Sequence, residues 1–207
     1  MDKDLTKTIL KANGIRTARW LNVRSIEEID YAAIEEIGYP VFIKPTNGGS
    51  SVATFKITKK EDVENAVREG LKWGNEVMIE EFIKGDEITC PVFENEMFPV
   101  LAIKAKTDFY DYEQKYSANG AEHYAINLEK DIHSEVEKMA LDTYKALKCS
   151  VYARIDMIIT EEGVPYVLEV NTLPGMTATS LFPQSAGEKG ISYSEFIDMI
   201  IEHSLNK

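Results

Sequence analysis

The sequence predicts an α+β chain in two subdomains, and three observations carry that prediction. Pairs of β-branched and aromatic runs recur on either side of short turn signals, as antiparallel hairpins do. Amphipathic segments with helical spacing lie between the hairpins. The composition changes character near residue 86, which divides the chain into subdomains 1–86 and 87–207.

Asp2 to Asn13 reads as a helix with a stripe of Leu5, Ile9 and Leu10, stopped by Asn13-Gly14. Ile15 to Val23 is extended. Ser25-Ile26-Glu27-Glu28 has the form of a capping box and opens a helix ending near Gly38. Val41–Pro45 is a strand, followed by Thr46-Asn47-Gly48-Gly49-Ser50-Ser51 and a returning strand, Phe55-Lys56-Ile57. Successive N–H groups in such a glycine-rich loop can form an anion nest, and Lys44 stands just before it. The phosphate-loop pattern GxxxxGK[ST] and the dinucleotide pattern GxGxxG are both absent.

Lys60 to Gly74 is an amphipathic helix, Glu76 to Ile83 a strand, and Lys84-Gly85-Asp86 a turn. Glu87–Val92 and Met97–Lys104 form a second hairpin around Glu94-Asn95-Glu96. Residues 105–127 show no period but carry Phe109, Tyr110, Tyr112, Tyr116 and Tyr124, so they read as a lid or a packed surface loop. Asp131 to Leu147 is a helix, Met176 to Gly187 is irregular, and a final helix starts at Ser192.

Tyr152 to Gly175 carries the chemistry. Ile155–Thr160 and Val164–Val170 flank Glu161-Glu162-Gly163 and read as a hairpin. A two-residue turn at Glu162-Gly163 sets Asp156 against Glu169, Arg154 against Asn171 and Pro165 against Thr160. Opposed carboxylates repel unless a cation lies between them. Two carboxylates and a carboxamide suit a hard ion, Mg²⁺ or Mn²⁺. The competing reading is a solvated hairpin with scattered charges; Ile155, Met157, Leu168 and Val170 argue instead for a buried back face.

The totals narrow the function classes. A net charge of −12 across 207 residues argues against a general nucleic-acid binder. Cys90 and Cys149 form no CxxC pattern and read as buried free thiols. No apolar run is long enough to span a membrane, and the N-terminus lacks a signal-peptide pattern, so the expected location is the cytoplasm. A magnesium-type carboxylate pair, an anion nest with Lys44 beside it and an aromatic lid carrying Lys115 are the apparatus of phosphoryl transfer. Glu80-Glu81-Phe82-Ile83, at the subdomain junction, offers backbone groups to an adenine.

Five motifs in order, MDKDLTK, FIKPTNGGSSV, IEEFIKGDE, FYDYEQKY, and ARIDMI with LEVNTLPGMT, resemble the ATP-grasp superfamily and within it the D-alanine–D-alanine ligases. The resemblance covers essentially the whole chain. It implies two α+β subdomains clasping ATP between antiparallel sheets. It implies phosphate contacts from Lys3, Lys44 and Lys115, with Ser50 and Ser51 in the covering loop. Glu81, Phe82 and Ile83 would line the adenine, and Glu87 would hold the ribose. Asp156, Glu169 and Asn171 would hold two Mg²⁺ or Mn²⁺ ions. Arg154 would orient the γ-phosphate, and Gly175 would supply an oxyanion N–H. Ser180 and Leu181 would receive the second amino acid's carboxylate, and Tyr116 would close against Ser50. The implied reaction joins two D-alanines through an acyl phosphate, for peptidoglycan precursor synthesis.

Two departures stand out. The resemblance implies an N-terminal domain that supplies a glutamate for the first D-alanine and much of a homodimer contact, and this chain starts at the MDK motif. It therefore reads as an ATP-grasp portion of a longer protein, with nucleotide binding expected to survive better than turnover. Ala53 stands where the family has glycine. D-alanine–D-serine or D-alanine–D-lactate ligation and nucleotide binding without turnover are the alternatives. Glu113-Gln114-Lys115-Tyr116 favours the dipeptide enzyme.

Overall fold

The computed structural model describes residues 2–47, 53–105 and 121–206. The chain divides into two compact units. One is built on Thr17–Ile83 with the residues up to Thr8; the other on Ile9–Arg16, Lys84–Lys104 and Glu122–Lys207. The main handover thus falls between Ile83 and Lys84, beside a boundary read at residue 86, and Ile9–Arg16 goes with the second unit.

Among the described residues, the first unit has a four-stranded antiparallel sheet in the order β1 (Trp20–Val23), β4 (Val77–Glu81), β2 (Val41–Pro45), β3 (Phe55–Ile57). Helices α2 (Tyr31–Ile37) and α3 (Val63–Gly70) supply the apolar cover. Alternation along the strands sends Val41, Ile43, Val77 and Ile79 into a core with Ile34, Val63 and Val67. The expected helix from Ser25 is shorter. Ile26–Glu28 is a 3₁₀ turn without a Ser25 side-chain cap, and α2 starts later, where the Asp30 carboxylate accepts from the Ala33 N–H.

Helix α1 (Lys3–Ala12) corrects the expected stripe. Leu5 is 57% exposed, whereas Lys3, Lys7 and Leu10 are buried. Leu10 belongs to the second unit's core. The two lysines, four residues apart on one face, belong to the first unit.

The second unit has a sheet ordered β10 (Pro165–Asn171), β9 (Tyr152–Ile159), β5 (Asp86–Phe93), β7 (Leu101–Ala105), β8 (Ala121–Ala125), with β6 (Glu96–Met97) also paired to β5. The expected strand over Met97–Lys104 is split around Pro99, which lacks the N–H a continuous ladder needs. Helix α4 (Lys130–Ala146) places Val136, Met139, Ala140 and Tyr144 against Ile88, Cys90, Ile155, Met157, Val167 and Val170. Burial pushes the Cys90 thiol well above its usual range; both cysteines are free, but Cys149 is half-buried rather than buried as expected.

A helix, α5 (Leu181–Glu188), lies where an irregular segment was expected. Pro183 sits in its first turn, where a missing N–H is tolerated. Phe182 packs in an aromatic cluster with Phe93, Phe98 and Phe196, the last on α6 (Tyr193–Leu205). Helix α6 opens with a full Ser192–Glu195 capping box. No helix among the described residues is long and apolar enough to cross a membrane.

Candidate functional site

The β9–β10 hairpin brings Asp156 opposite Glu169 and Arg154 opposite Asn171. The route to that register differs from the expected one. The loop has three residues, 161–163, closed by Gly163 N–H to Thr160 O at 2.9 Å and Thr160 N–H to Val164 O at 3.0 Å. Gly163 sits at φ +80°, the left-handed position such a loop demands. Pro165 therefore pairs with Ile159, not Thr160. A bulge between Val167 and Glu169 then absorbs Leu168 and shifts the register by one, restoring the Asp156–Glu169 pair. The bulge also places Val167, not Leu168, in the core.

Asp156 is 3% exposed and is the hub of this face. Its Oδ1 accepts from Thr89 Oγ1 at 2.6 Å and Arg154 Nε at 3.0 Å. Its Oδ2 accepts from Arg154 Nη2 at 2.8 Å and the Asn171 amide at 3.0 Å. The same amide donates to Glu169 Oε1 at 3.3 Å. Glu87 lies two residues before Thr89 on β5, hence on the same face. Burial works against the Arg154 charge, but Asp156, Glu169 and Glu87 outweigh it and hold the guanidinium above its ordinary pKa. Among the described residues, the face thus carries three carboxylates against one arginine. The Asn171 amide nitrogen, not its oxygen, faces both carboxylates, and no group of three or more His, Cys, Asp or Glu among the described residues could hold a metal ion. With the amide turned over, its oxygen and the two carboxylates would offer the all-oxygen ligands that suit a hard divalent cation.

Gly175 and Ser180 meet near α5: a Cβ built on Gly175 would stand 3.0 Å from Ser180 Oγ. Ser180 is the N-cap of α5, and its Oγ accepts from the Thr177 N–H at 3.1 Å. Leu181 follows as the first helical residue.

In the first unit, Lys44 and Glu80 share the sheet face opposite the α2/α3 core, with Phe42 and Met78. Lys44 Nζ stands 2.5 Å from Glu80 Oε2, and Lys7 Nζ 2.6 Å from Glu80 Oε1. Glu80 is 2% exposed. Burial pushes its carboxyl up, but Lys44 and Lys7 prevail and bring it down to about 2. Lys7 donates further to Thr17 Oγ1 at 2.7 Å and Ala18 O at 3.0 Å. Lys3 Nζ lies 3.3 and 3.4 Å from the carbonyls of Pro45 and Thr46, at the end of β2.

Sequence reasoning placed Glu80 in the adenine stretch by its backbone but did not single out its side chain, or Lys7. Glu81 points the other way, accepting from Arg19 Nε at 3.0 Å and Nη2 at 2.7 Å. Counting strand alternation from Lys44 across β4 would have found Glu80. Phe82 packs edge-on against Phe42 with Lys56 Nζ 4.0 Å above its ring, and Ile83 follows, half-buried. Ser50, Ser51, Lys115 and Tyr116 lie outside the described residues. Ala53 stands at φ +53°, a conformation that glycine adopts without a Cβ penalty.

Residues 9–202 match the family described as D-ala D-ala ligase C-terminus. The chain is 71% identical over its full length to D-alanine–D-alanine ligase B of Clostridium perfringens, spanning 68% of that protein. It is similar to the crystal structure of a Bacillus anthracis D-alanine–D-alanine ligase complexed with ATP, with TM-score 0.87 and 39% identity over 99% of this chain and 66% of that one. It is also similar to the VanG D-Ala:D-Ser ligase from Enterococcus faecalis, with TM-score 0.85 and 31% identity over 98% of this chain and 61% of that one.

Proposed function

Since the chain belongs to the D-alanine–D-alanine ligase family, we propose that it provides the ATP and metal sites of an ATP-dependent carboxylate–amine ligase joining two D-alanines. The observation that carries this reading is Asp156 opposite Glu169, with Arg154 and Asn171 on the same face.

Asp156, Glu169 and Asn171 would hold Mg²⁺ or Mn²⁺, which, when bound, neutralises phosphate charge and polarises phosphoryl oxygens. Lys44 and Lys3 would attract the phosphates, with Lys115 and the Ser50-Ser51 loop. Glu81, Phe82 and Ile83 would line the adenine. Glu87 would hold the ribose. A D-alanine carboxylate oxygen attacks the γ-phosphorus of ATP, releasing ADP and forming an acyl phosphate. The amine of the second D-alanine attacks the acyl carbon, and inorganic phosphate leaves. Arg154 would balance charge on the transferring group, and the Gly175 N–H would stabilise the oxyanion. Ser180 and the first turn of α5 would receive the second carboxylate, because a helix N-terminus favours an anion. On the same reading the chain would serve peptidoglycan precursor synthesis in the cytoplasm, and the whole enzyme would be a homodimer.

The test is ADP release on mixing the chain with ATP, Mg²⁺ and D-alanine, with D-serine and D-lactate as parallel acceptors. D-alanine-dependent ADP release, exceeding that with the other two, is the expected result. ATP binding without acceptor-dependent release would reduce the chain to a nucleotide-binding portion, and preference for D-serine or D-lactate would reassign the acceptor.

A further inference from the structure

Lys7 has no place in the reaction as described, yet it is 1% exposed. Its ammonium has three donors, and Glu80 Oε1, Thr17 Oγ1 and Ala18 O lie 2.6, 2.7 and 3.0 Å away. Thr17 Oγ1 and Ala18 O take two of those donors and the ion pair with Glu80 Oε1 engages its charge, so it is not built to grip a ligand directly. An apolar side chain would fill the same space without desolvating a charge. The explanation lies in Glu80, which presents one oxygen to Lys7 and the other to Lys44.

We infer that Lys7 is a positioning residue for Lys44, acting through Glu80. The trio carries two positive charges and one negative, a net charge of one positive. Lys7 occupies one Glu80 oxygen, so the carboxylate holds Lys44 in place without cancelling its attraction for an anion. Without Lys7, Glu80 and Lys44 form a neutral pair in which both oxygens compete for the Lys44 ammonium. The inference rests on the reading that Lys44 meets nucleotide phosphates.

Lys7→Met keeps the aliphatic stem and removes the charge. Its ATP dissociation constant, measured by calorimetry with Mg²⁺ on the full chain, is expected to rise about tenfold for the loss of one nearby charge in a partly buried site. Adenosine, measured by competition, is expected to bind unchanged. The double variant Lys7→Met/Glu80→Gln restores the single net positive charge at Lys44 and is expected to recover most of the ATP affinity. It also removes the uncompensated carboxylate, so it remains measurable if Lys7→Met alone fails to fold. Unchanged ATP affinity in Lys7→Met, equal weakening of ATP and adenosine, or no recovery in the double variant would each overturn the inference. Lys44→Met separates this from the underlying reading: if it leaves ATP binding intact, the phosphate role of Lys44 fails first.

Discussion

Replacing Thr89 with valine tests whether Asp156 is oriented by its surroundings. Thr89 is fully buried, and its hydroxyl reaches Asp156 Oδ1 at 2.6 Å. Valine matches its shape and removes one hydrogen bond to a charged acceptor, worth about 1.5–3 kcal/mol. The oxygen is not orphaned, because Arg154 Nε stays at 3.0 Å, and the new methyl recovers part of the loss. The net cost is therefore about 1–2 kcal/mol, read as a urea midpoint lowered by about 0.5–1 M. Partners that orient a metal-binding carboxylate also change metal affinity, by about tenfold or more when removed. Mn²⁺ titration followed by electron paramagnetic resonance should show that drop in Thr89→Val and its reversal in Thr89→Ser. Mn²⁺ affinity untouched by valine, or serine behaving no better than valine, would refute the reasoning.

Glu80→Gln should cost about 3 kcal/mol at pH 7, the scale of a broken buried ion pair and of a carboxyl lowered from 4.5 to about 2. Because the folded value lies below the unfolded one, that stability is fully present above pH 4.5 and fades as pH falls toward 2. Urea melts of both proteins should therefore converge in acid, and a gap constant from pH 7 to 3 would be evidence against an ionised Glu80. Gly85→Ala should cost about 3 kcal/mol or prevent folding, since its Cβ would lie 2.1 Å from the Ile159 carbonyl oxygen; a thermal midpoint equal to the parent would contradict the geometry. Phe182→Ala should cost about 3–5 kcal/mol. It should also raise the KM for the second D-alanine more than the KM for ATP, because Phe182 anchors the helix that begins at Ser180 and Leu181.

Much of the second unit's site was legible because strand chemistry is local. Two apolar runs separated by a turn signal, each carrying one carboxylate, define a face, and Asp156 opposite Glu169 follows from it. The turn length and the Leu168 bulge were not legible. A three-residue loop moves the register by one and the bulge moves it back, so the expected pair emerged although Pro165 and Leu168 were misassigned. The capping pattern at Ser25 competed with Asp30, which is five residues on and is the residue that caps a helix. Pro183 and Gly187 disguised α5, whose stability comes from Phe182 meeting aromatic residues far along the chain. The face of α1 misled most. Leu5 outranks lysine in any hydrophobic stripe, and Lys7 is buried only because Glu80, 73 residues later, meets it. No local pattern reports that pairing.

The central claim is that two acidic strands converge so that a divalent cation can sit with the phosphates of a nucleotide. ATP affinity measured by calorimetry, with Mg²⁺ and again with chelator, in the parent chain and in Glu169→Gln, addresses it most directly. The expected result is tight binding to the parent with Mg²⁺, weaker binding with chelator, and little difference between the two conditions in Glu169→Gln. Equal Mg²⁺ enhancement in both proteins would contradict it.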